Sequence, residues 1–157
     1  MCIRDSYKPS LLKCTYRDQI IGEIVEGLDE ENITYWKEEL KDYKRLEFAK
    51  TKLKHEYNID KYDLGEGLRK ELEKVASKYN TSFKHLCLAA YVYTMKMFSA
   101  TNDITIGILS NNRPLMPDGD KLLGCFLNTV PFRAIVPTDG TWGDYITFIG
   151  VKLRKFE

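Results

Sequence analysis

Apolar and polar positions along this chain follow two periods, and the places where the period changes mark its elements. From Thr15, "TYRDQIIGEIVEGL" sets Ile20, Ile21, Ile24, Val25 and Leu28 on one helical face. "DEENITYWKEELKDY" starts a second helix, with Asp29 as N-cap, acidic residues in the first turn, and Ile33, Trp36 and Leu40 recurring every three to four positions. "KRLEFAKTK" has no period and reads as a basic loop. In "LKHEYNID", Leu53, His55, Tyr57 and Ile59 alternate with polar residues, the pattern of a half-buried strand. "DLGEGLRKELEKVASKYN" is an amphipathic helix with Leu64, Leu68, Leu72, Val75, Ala76 and Tyr79 on one side and Asn80 suited to its end.

Ser82 then caps "FKHLCLAAYVYTMKMFSA", which is apolar over most of its circumference and is expected between layers. "DITIGIL" is almost entirely apolar, as expected of a strand covered on both faces. The loop "SNNRPLMPDGD" carries two prolines and a glycine, and a further strand is expected from Gly124 to about Val136. "PTDG" makes a turn. Thr141 and Asp144 form a capping box opening a last helix, with Trp142, Tyr145, Ile146, Ile149 and Leu153 inward. Helices alternate with strands, so the class is α/β.

Composition narrows the function. The chain has 157 residues, 24 basic against 23 acidic, for a net charge of +1, so no overall field draws it to nucleic acid or an anionic membrane. No apolar run reaches the roughly 18 residues a membrane helix needs. The four cysteines, Cys2, Cys14, Cys87 and Cys125, form no CxxC and no metal-like spacing with His55 or His85, which fits a reducing cytoplasm and no metal. The opening "MCIRDS" has no signal-peptide pattern and resembles a translated sequencing adapter, so residues 1–6 are set apart from the fold.

Few residues look catalytic. Neither histidine has an acid or nucleophile at a recognisable spacing, so both read as structural; Cys125 reads as a small core residue. Gly107, Gly119 and Gly124 lack the spacing that cradles a phosphate. The informative stretch is "NNRPLMPDGDKLLGCFLNTVPFR". Asn111, Asn112 and Arg113 end one strand, while Asn128 and Thr129 lie partway into the next with Pro131 inside its apolar run. Polar groups at the ends of buried strands are where α/β folds place ligand sites.

"IGILSNNRPLMPDGDKLLGCFLNTVPFR" resembles the late signature of nonribosomal peptide synthetase condensation domains, G-x-F-x-N-T-x-x-x-R, matched by Gly124, Phe126, Asn128, Thr129 and Arg133. Upstream, Tyr16, Arg17 and Asp18 are similar to that family's Y-x-D helix start, although "QII" replaces the aromatic residues that follow. "YWKEEL", with Trp36, resembles the next element, and "SFKHLCLAAYVYTMKMFSATNDITIGI" the long helix and strand. Order and spacing hold from Tyr16 to Leu153.

The resemblance implies a chloramphenicol-acetyltransferase-like fold, with residues 7–157 a partial condensation domain, truncated at both ends, from the middle and the start of the C-terminal lobe. It implies amide-bond formation between aminoacyl or peptidyl thioesters on two peptidyl carrier domains, donor and acceptor, next to an adenylation domain. Their phosphopantetheine arms enter a tunnel between this lobe and an N-terminal lobe, and no cofactor is bound directly. The family's HHxxxDG is absent from the sequence, so no catalytic residue is assigned and the chain by itself is expected to be inactive. Asn128, Thr129, Gly124 and Phe126 are expected to bind substrate. Gly124 would permit close approach, Pro131 would end ladder pairing, and Arg113 and Arg133 would act as structural clamps. The alternatives are an acyltransferase of the same fold without a second carrier arm, an epimerising or cyclising relative, and a non-catalytic domain that recruits partners.

Overall fold

A computed structural model describes residues 10–48 and 59–156. His55, the adapter-like residues 1–6 and most of the strand expected over 53–60 lie outside the described residues; Ile59 and Asp60 are irregular. The chain divides into two compact units. One comprises the described residues through Lys41 with Ile108–Val130, the other residues from Asp42 to Gly107 and from Pro131 onward.

The first unit opens with α1 (Tyr16–Gly27), and its start is chemical rather than hydrophobic. The Asp18 backbone N–H donates to the Thr15 hydroxyl (3.3 Å) while the Thr15 N–H donates to the Asp18 carboxylate (2.8 Å), two otherwise orphaned donors satisfied reciprocally. α2 (Glu30–Glu39) follows, with Asp29 accepting from the Glu31 N–H and Glu30 and Glu31 complementing the positive end of the helix dipole. The apolar face read from α1 is not buried within the described residues: Ile21, Ile24, Val25 and Leu28 are exposed, and α1 buries no residue fully. The unit's small core is Cys14, Leu122 and Phe126, with Leu12 against it.

The second unit holds α3 (Gly65–Lys78), α4 (Phe83–Ser99) and α5 (Trp142–Leu153). α3 is capped by Tyr79 and followed by Asn80, whose φ of 48° is the left-handed turn that asparagine tolerates. Ser82 caps α4 through the His85 N–H, and Thr141 with Asp144 forms the box that starts α5. α4 meets both α3 and α5. It is not covered all round: His85, Ala89 and Val92 face inward, whereas Tyr91, Met97 and Phe98 are exposed. The α5 face carries Tyr145, Ile146, Ile149 and Leu153 inward as expected. Trp142, expected with them, is 60% exposed because as the first helical residue it lies beside the Tyr93 ring (4.6 Å between centroids) rather than beneath it. Gly143 is needed where α5 touches the end of α3, since a Cβ there would run into the Tyr79 ring.

β1 (Asp103–Asn111) and β2 (Leu127–Ile135) pair as a two-stranded sheet. The Asn112 N–H donates to the Phe126 carbonyl beyond one end and the Val136 N–H to the Asn102 carbonyl beyond the other, so this pair is antiparallel. β1 is covered less than its apolar sequence suggested; Ile104 is fully buried but Leu109 is 74% exposed. β2 begins at Leu127, not Gly124, and continues through Pro131 to Ile135, so the proline sits inside the strand instead of ending it. With only two strands described, β2 has a free edge, where a missing N–H is tolerated. Phe132, Ile104, Ile149 and Val92 form the most buried part of the second unit.

Candidate functional site

The stretch 111–129 gathers on the first unit, and its residues divide into those that hold the loop and those that face solvent. Arg113 belongs to the first kind. Its Nη1 donates to the carbonyls of Gly119 (2.9 Å) and Leu122 (2.9 Å), tying down the short 3₁₀ turn Gly119–Lys121. Its guanidinium stacks 4.1 Å from the Phe126 ring centroid, a stabilising cation–π contact. Phe126, expected to touch substrate, is instead 5% exposed, with the Tyr16 ring set edge-on against it at 5.4 Å. At this depth its ring contributes packing to the unit's core.

Gly124 has a clear reason to be glycine. A Cβ there would lie 2.5 Å from two carbons of the Tyr16 ring, so the close approach it permits is that of a side chain of its own unit. The Tyr16 hydroxyl then donates to the Cys125 carbonyl at 3.1 Å. Cys125 itself is exposed; the buried thiol is that of Cys14, 3.4 Å from the Pro117 carbonyl and pushed up by burial and then by Asp118. Asp18 spends its carboxylate on the α1 cap, where the Thr15 side chain above all holds it below the usual carboxylate range.

Asn128 and Thr129 are both exposed at the start of β2, and strand alternation separates their directions. Asn128 lines a cleft of about 670 Å³ with Glu23, Glu26 and Gly27 of α1, Asn32, Ile33, Trp36 and Lys37 of α2, and Asn112. That volume lies in the range of small-molecule sites, about 300–1,000 Å³. The cleft has one fixed anchor. Glu23 Oε1 accepts from Asn112 Nδ2 (2.7 Å) and Gln19 Nε2 (3.1 Å), while Gln19 Nε2 also donates to the Asn112 carbonyl (2.9 Å). Thus the end of β1 is stitched to α1, and the Glu23 carboxylate has a set orientation. Sequence reading found Asn112 and Asn128, took Trp36 as a helix-core residue, and missed Glu23 and Gln19; the i,i+4 spacing of the last two on one helix face was the available signal.

In the second unit, Arg133 grips Asp103 with both arms, Nε to Oδ1 at 2.8 Å and Nη2 to Oδ2 at 2.6 Å, joining the two strands. His85 is 4% exposed and its Nδ1 lies 3.1 Å from the Thr81 hydroxyl, next to Gly150, so its ring is enclosed by structure. Tyr145 is likewise committed: its hydroxyl donates to the Ala89 carbonyl at 2.8 Å, and burial followed by Tyr93 raises its pKa strongly. No group of three or more His, Cys, Asp or Glu among the described residues could hold a metal. No helix among them is long and apolar enough to cross a membrane.

The condensation-domain family matches residues 16–157. The AMB antimetabolite synthetase AmbE of Pseudomonas aeruginosa is 35% identical over 68 residues, covering 43% of this chain and 3% of that protein. Tyrocidine synthase 2 of Brevibacillus parabrevis is 25% identical over 123 residues (73% of this chain, 3% of the relative). Surfactin synthase subunit 2 of Bacillus subtilis is 25% identical over 127 residues (77% and 4%). In structure, the chain is similar to the condensation domain from the monacolin K polyketide synthase MokA, with a TM-score of 0.72 and 17% identity over 94% of this chain and 38% of that one.

Proposed function

The chain belongs to the condensation-domain family, and on that basis we propose that it is part of a nonribosomal peptide synthetase, forming an amide bond between carrier-bound aminoacyl or peptidyl thioesters. The observation that carries this reading is the family match together with the position of Asn128, the motif residue whose side chain opens onto the cleft. In the reaction, the acceptor amine attacks the donor thioester carbonyl, the C–N bond forms, the C–S bond breaks, and the donor carrier leaves as its free thiol. Both thioesters arrive on phosphopantetheine arms of carrier domains, supplied in turn by an adenylation domain.

Asn128 supplies a neutral donor and acceptor that fit a thioester, an amide or the arm itself, and these orient the reactants without changing their charge; Thr129 offers its hydroxyl from the other face of β2. His85, enclosed and bonded to Thr81, is given no part in proton transfer. The chain spans only 3–4% of the length of the synthetases named above and 38% of the condensation domain it resembles, so the activity is one of the longer protein and this chain alone does not turn over. The test is reconstitution of the full-length protein with a loaded donor and a loaded acceptor carrier, followed by mass spectrometry of the acceptor. An acceptor heavier by the donor acyl group supports the reading. Acyl transfer to a free alcohol or amine, with none to a loaded carrier, refutes it.

A further inference from the structure

The cleft beside Asn128 carries more than neutral hydrogen bonding. Its α1 wall presents two carboxylates, Glu23 and Glu26; Oε1 of Glu23 is held by Asn112 and Gln19, and its other oxygen, Oε2, has no hydrogen bond among the described residues. Its α2 wall is the half-buried Trp36 with Ile33, and Lys37 stands on the lining as well. Asn128 completes it from β2, and its amide makes no hydrogen bond among the described residues. A fixed carboxylate, an indole and an apolar side chain in one cleft match an alkylammonium: charge on the carboxylate, methylenes along Ile33 and the ring. A neutral amide ligand would gain nothing from the Glu23 charge, and an anion would meet it unfavourably.

We infer that this cleft reads the side chain of the substrate and favours one ending in a primary ammonium, with Glu23 as the specificity-determining residue and Lys37 limiting the affinity by repulsion. The inference rests on the reading that Asn128 faces substrate. The ammonium concerned is on the side chain and takes no part in bond formation, since the attacking amine must be unprotonated. Glu23 therefore discriminates between substrates and leaves the acyl transfer itself to other groups.

Binding is measurable without turnover, so it separates this inference from the proposed reaction. The full chain is titrated with n-butylammonium, and with n-butanol as the uncharged control, while the Trp36 indole N–H is followed by NMR, with Trp142→Phe to assign its signal. A saturable shift with butylammonium and none with butanol is expected. Glu23→Gln keeps an oxygen for Asn112 and Gln19 and should weaken butylammonium binding by roughly fivefold, the size of a partly exposed charge pair. Lys37→Gln should strengthen it, a change of sign that loss of folding cannot imitate. Equal response to butanol, or unchanged affinity in both variants, overturns the inference. In the full-length protein, Glu23→Gln should lower kcat/KM for basic substrates relative to neutral isosteres, whereas Asn128→Ala lowers both alike.

Discussion

Gly124→Ala tests whether the motif glycine serves its own unit. The added Cβ would sit 2.5 Å from two carbons of the Tyr16 ring and 3.2 Å from Cγ. Favourable carbon–carbon contact begins near 3.5 Å, so the ring or the loop must move by about an ångström. Tyr16 is 36% exposed, and the ring has somewhere to go, which makes displacement of the ring the cheapest response. Displacement forfeits the hydrogen bond to the Cys125 carbonyl and the edge contact with Phe126. Each is worth about 0.5–1.5 kcal/mol, giving a loss of roughly 1–3 kcal/mol, the usual cost of overpacking. Urea unfolding of the full chain, followed by circular dichroism, measures it. The discriminating step is the same substitution in a Tyr16→Ala background, where the clash is gone and the cost should shrink to a few tenths of a kcal/mol. An equal cost in both backgrounds would show that Gly124 answers to something other than Tyr16.

Three further outcomes follow from the same geometry. Asp18, Asp118 and Asp144 are held below the ordinary carboxylate range, chiefly by side-chain hydrogen bonds from Thr15, Lys121 and Thr141. Below about pH 4 the unfolded chain binds protons that these folded carboxylates refuse, so stability is full above that pH and falls as pH drops through the lowered values. The urea midpoint should therefore decline on acidification, and less so in Asp18→Asn with Asp144→Asn; a midpoint that does not move down to pH 3 contradicts this. Arg133→Lys cannot keep both bonds to Asp103 and should cost roughly 1–3 kcal/mol by the same unfolding assay, while no change would mean the ion pair contributes nothing net. Brief iodoacetamide treatment should alkylate Cys87 and Cys125 and spare Cys14 until the chain unfolds; early Cys14 labelling, read by peptide mass mapping, would contradict its burial.

What the sequence disclosed depended on how local each feature is. Asp29, Ser82 and Thr141 were legible as caps because a cap is decided within three or four residues, and Asn80 closes its helix as expected; the Thr15–Asp18 box is equally local but was not read. Burial was not legible, because periodicity identifies an apolar face without identifying what covers it. Ile21, Ile24, Val25 and Leu28 share a face that nothing in the first unit buries fully, and the apolar β1 still exposes Leu109. The roles of Gly124 and Phe126 needed Tyr16, which meets them from more than a hundred positions away; the Tyr16 bond to Cys125 spans 109. The cleft was half legible. Asn112 and Asn128 stood out as polar residues at strand ends, whereas Glu23 looks like any solvated helix residue until Asn112 is placed against it.

The central claim is that Asn128 faces substrate in a condensation domain. The direct measurement is Asn128→Ala in the full-length protein, assayed for amide formation between loaded donor and acceptor carriers, with the melting temperature recorded alongside. Loss of one substrate hydrogen bond of about 1.4 kcal/mol predicts a roughly tenfold fall in product formation. Because the Asn128 side chain is exposed and makes no hydrogen bond among the described residues, the melting temperature should stay within about 1 °C of the parent. Unchanged turnover in a folded variant would contradict the account.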